Sequence, residues 1–182
     1  MHFYYIVYWF KHKNAMAFEK KEYSDLLIYI LSHCYDKPHV GKTVLSTTMY
    51  FIDFNYYEVY GKSLTNEEYV KSKKGIKPKH FNKITDELIE RKKIYFRKVP
   101  YYHTTLHKYY LRQLPDIHFS KKKNNLINST IKHLITKNAT SILKYASRDP
   151  PFQMADYNET IDYNNVYLRY PRYSIRKKFI NL

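Results

Sequence analysis

The sequence is poor in the residues that cross-link or break a fold. Its 182 residues include one cysteine, Cys34, with only three glycines and seven prolines. A single cysteine excludes an intrachain disulfide and a thiolate metal site, and this usage is typical of the reducing cytoplasm. Few glycines and prolines, with 44% hydrophobic residues, exclude collagen-like and low-complexity disordered chains. We therefore expect one ordered domain located in the cytoplasm.

Acidic residues and arginines are also scarce. The chain has 16 acidic against 32 basic residues, a formal charge of +16. This balance makes anionic partners plausible, such as nucleic acid, a membrane surface or an acidic protein. Lysines outnumber arginines by 25 to 7, however, whereas bidentate recognition of phosphate and guanine depends on arginine. The charge alone therefore does not single out nucleic acid.

The sequence also lacks a long hydrophobic run. The apolar stretch from Phe3 to Phe10 has eight residues, whereas a membrane-spanning helix needs about 20. A secretory signal would have a basic residue before such a stretch, and here none precedes it. We expect residues 1–22 to form an N-terminal arm, with translation starting at Met1 or Met16, and residues 23–182 to form the domain.

The spacing of apolar residues predicts a series of helices. The second one has the widest apolar face, so we expect it to be the buried central element, ended by Gly61 in a left-handed conformation. We expect a positive φ at Gly75 as well. The predicted helices cover 23–35, 42–60 and 79–92, with a fourth capped by Ser120 and a fifth running from Asn138 to Tyr145, before Pro150-Pro151.

Two stretches with β-branched and aromatic residues predict a hairpin after the third helix. They run from Ile94 to Val99 and from Thr104 to Leu111, with a turn expected around Pro100-Tyr101. Residues 67–71 predict a short extended piece, and 156–173 predict one or two short strands or irregular packing. The predicted fold class is mainly α, an α-rich α+β fold: a compact helical domain with a small β-hairpin.

Sequence patterns give no support for catalysis or for a cofactor. His103 and His107 have no carboxylate close by that offers a third metal ligand. Gly41-Lys42-Thr43 resembles the end of a phosphate-binding loop, but the earlier glycine is replaced by Asp36. No nucleophile, base and orienting group can be assembled. We expect no enzymatic activity, no metal and no cofactor.

Several motifs in one unbroken order resemble the Panacea domain of SocA-like antitoxins. The resemblance extends over about residues 24–165. The family patterns "LLYFADF", "YGKPIT", "YVA", "GPVP" and "LSH...PW" are similar to Met49–Phe54, Tyr60–Thr65, Tyr69-Val70, Gly75–Pro78 and Tyr145–Phe152, respectively. The chain departs from the family at Ile76, in place of a proline, at Arg148, in place of a histidine, and at Phe152, in place of a tryptophan.

The resemblance implies a cytoplasmic, mainly helical antitoxin of bacterial or phage origin, one that neutralises a cognate toxin by direct protein contact. It identifies no particular toxin, and it implies neither a membrane nor a cofactor. Two motif segments with polar or proline-rich surface character are the expected partner-binding sites, although ordinary turns would have the same composition. Their candidate residues are Gly75, Ile76, Lys77, Pro78, Arg148, Asp149 and Phe152.

The alternative function is a nucleic-acid-binding or regulatory protein resembling a winged helix. Residues 71–98 hold eleven basic and three acidic residues, whereas 149–162 hold four acidic residues and no basic one. Aromatics such as Tyr95 and Tyr102 could stack on bases, but we favour cross-strand packing in the hairpin. The residues that would face phosphate are Lys77, Lys79, Lys83, Arg91, Lys92, Lys93, Arg97 and Lys98.

Overall fold

The computed structural model describes residues 17–179. This part is 48% helix and 15% strand, so the fold is α+β with helix in excess. The elements, in chain order, are α1 (Lys20–Ser32), α2 (Lys42–Tyr60), β1 (Tyr69–Ser72), β2 (Gly75–Pro78), α3 (Phe81–Glu90), β3 (Ile94–Tyr101), β4 (Thr104–Leu111), α4 (Lys121–Leu134), α5 (Ala139–Ala146), α6 (Pro150–Met154), a 3-10 helix (Tyr163–Leu168) and α7 (Arg176–Phe179).

Helix α2 is the centre of the fold. Every residue from Val44 to Tyr56 is buried, so the helix is enclosed on all sides. It contacts α1, α4, α5, α7, β2, β4 and the 3-10 helix. At its end Gly61 adopts φ 67°, and its N–H donates to the carbonyl of Tyr57 at 2.8 Å. The predicted bounds, central position and left-handed stop of this helix are confirmed.

The strands form two separate antiparallel hairpins. In the first, β1 pairs with β2 from Tyr69 opposite Pro78 to Ser72 opposite Gly75. The sequence predicted an extended piece near β1 but not β2, because four-residue strands are too short to show a clear alternation. Gly75 has φ 105°, so the positive φ expected there is confirmed.

The second hairpin is the predicted one, but its turn lies further along the chain. Pairing continues past Pro100, which lies opposite Thr105, to Tyr101 opposite Thr104. Tyr102 makes the turn with φ 49°, so the turn predicted around Pro100-Tyr101 is wrong by about two residues. Tyr95 stacks on Tyr110 across the strands at a ring-centroid distance of 5.0 Å, which agrees with the expected cross-strand packing.

The remaining helices differ from prediction mainly at their ends. Asn138 caps α5 by accepting from the N–H of Ser141 at 2.9 Å, as expected. Pro150 does not follow the end of that helix directly but begins α6, since proline has no N–H to lose in a first helical turn. Residues 156–173 hold the 3-10 helix and a single bridge between Val70 and Thr160.

Part of the predicted N-terminal arm packs on the domain. Helix α1 begins at Lys20, inside the predicted arm, and the ring of Phe18 stacks on His80 at 4.0 Å. The run from Phe3 to Phe10 and both candidate start residues lie outside the described residues. Among the helices between residues 17 and 179, none is both long enough and apolar enough to cross a membrane.

The two positive-φ glycines differ in surroundings, which gives a prediction about stability. A Cβ on Gly61 would meet nothing within 4 Å, whereas a Cβ on Gly75 would overlap the Cδ2 atom of Leu143. Gly61→Ala should therefore cost about 1 kcal/mol through backbone strain alone. Gly75→Ala should cost more, about 2 kcal/mol, because the terminal methyl of the half-buried Leu143 must also move away. Urea denaturation midpoints measure both costs, and equal losses would contradict this account.

Candidate partner interface

A buried carboxylate, Asp53, fixes the loop that follows α2. The side chain is fully buried, and it accepts from the N–H of Thr65 at 2.9 Å and of Leu64 at 3.2 Å. The hydroxyls of Thr65, Tyr69 and Ser63 also donate to it. Burial raises the pKa of Asp53, while these hydrogen bonds oppose the rise. The loop is thus folded back onto α2, which places β1 and β2 beside it.

A second buried cluster ties the C-terminal part to α2. The guanidinium of Arg169 pairs with Asp149 through Nε–Oδ1 at 2.8 Å and Nη2–Oδ2 at 2.9 Å. Its Nη1 atom donates to Glu58 at 2.9 Å and to Asn55 at 2.8 Å, and the hydroxyl of Tyr50 donates to Asp149. Burial acts to lower the pKa of Arg169, but Asp149 outweighs it and the pKa is raised.

The first predicted partner segment is a strand and not a free turn. It is β2, in which Ile76 and Pro78 are buried and Gly75 packs against Leu143. Only Lys77 is exposed, and its strand partner is Val70, which bridges to Thr160 on its other side. The segment therefore offers one side chain to a partner.

The second predicted partner segment also contains both buried and exposed residues. Asp149 is fully buried in the Arg169 cluster, so its side chain is not exposed to a partner in this structure. Arg148 is exposed and Phe152 is half-buried. The Nζ atom of Lys71 lies 4.9 Å from the ring of Phe152, so β1 reaches this segment directly. The two predicted segments are thus neighbours, joined through β1.

Exposed apolar side chains that the sequence analysis missed surround Arg148 and Phe152. Met154, Tyr157 and Tyr170 are 58%, 60% and 57% exposed. Lys71 lies 5.0 Å from the ring of Tyr157, and Arg148 and Tyr170 line a common depression of about 650 Å³. No periodicity marks these residues in the sequence. We call this surface the α6 face, and it consists of Arg148, Phe152, Gln153, Met154, Tyr157 and Tyr170.

The predicted nucleic-acid residues lie on several different elements. Arg97 and Lys98 are neighbours in β3, so their side chains leave opposite faces of the hairpin. Lys79, just before α3, forms an ion pair with Glu68 at a distance of 2.9 Å. The others lie at three places: Lys77 in β2, Lys83 in α3, and Arg91 with Lys92 and Lys93 in the turn before β3.

Other reactive side chains are isolated in the described part of the chain. No group of three or more His, Cys, Asp or Glu side chains is placed to hold a metal ion between residues 17 and 179. Cys34 is buried, and burial raises the pKa of its thiol to about 12, so the thiolate is scarce at neutral pH.

One family model matches the sequence. It is described as "Antitoxin SocA-like, Panacea domain", and it matches residues 47–151, more than half of the chain. The matched range contains Asp53, Asp149 and α6's first residues, while Arg169 lies beyond it. No curated protein and no solved structure shows significant similarity to the chain.

Replacing Asp53 tests its role in holding the loop after α2. Asp53→Ala leaves two buried N–H groups and three hydroxyls without their acceptor, so it should lower the free energy of unfolding by about 3 kcal/mol or more. Asp53→Asn keeps one oxygen and the shape, and it should cost about 1 to 2 kcal/mol. Chemical denaturation followed by circular dichroism measures both values. Asp53→Ala as stable as the wild type would refute the role.

Replacing Arg169 tests the second cluster. Arg169→Ala leaves Asp149 buried without its cation and Glu58 with the longer ion pair to Arg176 at 3.4 Å, and it should cost about 3 to 5 kcal/mol. Arg169→Lys keeps the charge but loses the bidentate geometry, so its stability should lie between the alanine variant and the wild type. Arg148→Ala, at an exposed position beside Asp149, is the matched control and should change the thermal midpoint little. Equal midpoints for Arg169→Ala and Arg148→Ala would contradict the prediction.

Proposed function

Because the chain belongs to the SocA-like antitoxin family with the Panacea domain, we propose that it neutralises a toxin protein by direct binding through the α6 face. The family supports an antitoxin role in general. The observation that supports this particular surface is the concentration of exposed tyrosine, methionine and arginine beside a firmly anchored segment. These residue types are enriched at the centres of protein interfaces.

The charges around the α6 face indicate the chemistry of the partner. Exposed Asp156, Glu159 and Asp162 follow α6 directly. None of the three forms an ion pair with another residue in the described range 17–179. Acidic groups beside an apolar centre favour a partner whose contact surface is basic at its edge. Such a complex would bury the tyrosines and leave the carboxylates at the rim.

The Arg169 cluster explains how an irregular segment could present a defined surface. Arg169 is held by two residues of α2 and by Asp149, so the neighbouring Tyr170 starts from a fixed backbone position. A segment that is ordered before binding loses less conformational entropy on binding. Residues outside the matched range thus contribute to the proposed surface.

Co-expression tests the proposed function. The product of the neighbouring reading frame is expressed alone and together with this protein, and growth and co-purification are measured. We expect toxicity in the first case, and rescue with complex formation in the second. A harmless neighbour, or a toxic one that is neither rescued nor bound, would contradict the antitoxin proposal.

Tyrosine variants then test the surface. Tyr157→Ala and Tyr170→Ala should each weaken the complex by about tenfold or more, because central aromatic residues dominate interface energies. Tyr102→Ala is the matched control, since Tyr102 is 88% exposed at the tip of the β3–β4 hairpin. Its affinity should equal that of the wild type. If the wild type binds and the α6-face variants bind equally well, the surface is wrong although the function stands.

A further inference from the structure

A second surface feature, separate from the α6 face, is a cavity of about 720 Å³ between α4, α5 and the C-terminal segment. Its floor is formed by Phe51 and Asn55 of α2. Asn55 is held from both sides, because it donates to Thr130 at 3.0 Å and accepts from Arg169 at 2.8 Å. The volume is within the range of small-molecule sites, about 300 to 1,000 Å³.

The charged side chains at the cavity are all cationic. Lys132 comes from α4, and Arg172 and Lys178 come from the C-terminal segment. No Asp or Glu lines the cavity, and none of the three cations forms an ion pair within residues 17–179. Lys178 donates to Ser129 at 2.6 Å, which holds its ammonium group at the wall. The cavity is therefore suited to a ligand with several negative charges.

A helix dipole does not account for this cluster. Lys132 and His133 lie in the last turn of α4, where a cation interacts favourably with the helix C-terminus. Arg172 and Lys178 belong to another part of the chain and converge on the same space. Burial is the main cause that lowers the pKa of His133, and the charges of Lys137 and Lys178 lower it further. An anionic ligand would relieve this repulsion.

Aromatic rings line the same cavity as the cations, and the guanidinium carbon of Arg172 lies 5.2 Å from the centre of the Tyr173 ring. The ring of Tyr145 lies 4.9 Å from that of Tyr173, 5.0 Å from Phe51 and 5.3 Å from the imidazole of His133. Tyr173 donates its hydroxyl to the carbonyl of Tyr145 at 3.3 Å, so the two rings are fixed relative to each other. These rings provide apolar area for a planar ring. Asn128 and Ser129 add hydrogen-bonding groups at the edge.

We propose that this cavity binds a nucleotide, with the phosphates at Arg172, Lys178 and Lys132 and the base against Tyr145 and Tyr173. A ligand made of phosphates alone would use only the cations of this cavity, and an apolar ligand would use only its aromatic rings. The two sets face one cavity, and a phosphorylated planar molecule uses both. This inference does not depend on the toxin partner or on the α6 face.

Isothermal titration of the full chain with ATP and GTP tests the site, at about 0.15 M salt to suppress weak surface binding. Adenosine and pyrophosphate are the partial ligands, and a short single-stranded RNA is the polymeric competitor. We expect at least one nucleoside triphosphate to bind more tightly than adenosine, pyrophosphate or the RNA. The loss of one charge-assisted hydrogen bond should weaken binding by about tenfold.

Matched variants locate the binding. Arg172→Ala and Lys178→Ala should each weaken nucleotide binding by about tenfold. Lys177→Ala removes an equal charge from the neighbouring position, which does not line the cavity. Arg112→Ala removes an exposed arginine that also lies near an aromatic ring, 5.7 Å from Tyr95. Both controls should bind like the wild type.

Four outcomes would overturn the proposal. The first is that neither ATP nor GTP binds at about 1 mM. The second is that the control variants weaken binding as much as the cavity variants, which would indicate a general effect of charge. Pyrophosphate binding as tightly as the nucleotides would indicate a simple anion site. RNA binding without mononucleotide binding would indicate a nucleic-acid surface instead.

Discussion

The buried guanidinium of Arg169 is the constraint on which the arrangement of the domain depends. A cation without solvent needs opposite charges at short range, and here Asp149 and Glu58 provide them at 2.8 to 2.9 Å. Glu58 is in α2 and Asp149 lies between α5 and α6, so one side chain joins three parts of the chain. Moving any of these parts would leave a charge buried without its partner. The position of α6 relative to α2 is therefore fixed electrostatically as well as by packing.

The same reasoning explains why several motif residues are buried and inaccessible to a partner. Asp53, Thr65 and Tyr69 all belong to the segments that resemble the Panacea domain, and all three are buried in one hydrogen-bonded cluster. Such a cluster is intolerant of single changes, because each loss leaves another polar group unsatisfied. In this part of the chain, the residues that match the family pattern are residues that stabilise the fold. In the proposed function, recognition of a partner rests on exposed neighbours of this cluster.

Prediction from sequence succeeded where the signal is local. Helix α2 is bounded by Gly61 and has a long apolar series, so its limits were predicted exactly. Strand β2 has four residues and was missed. Asp149 appeared to be a surface residue because its partner, Arg169, lies twenty positions further along in a segment without periodicity. The exposed Tyr157 and Tyr170 were missed for a related reason: exposure in an irregular segment depends on tertiary packing, which no local pattern encodes.

Both proposed binding features use the chain that follows the matched range, and Arg169 explains why this chain can serve them. Because the guanidinium of Arg169 is held by buried partners, the backbone on either side of this residue is fixed. The next three residues therefore leave the cluster in defined directions. Tyr170 reaches the α6 face, and Arg172 lines both the depression there and the cationic cavity. One residue thus borders two surfaces that differ in chemistry, an aromatic one with charges of both signs around it and a cationic one. Because the two surfaces share this residue, a ligand in the cavity would alter the charge at the edge of the α6 face, where a basic partner would be most sensitive to it.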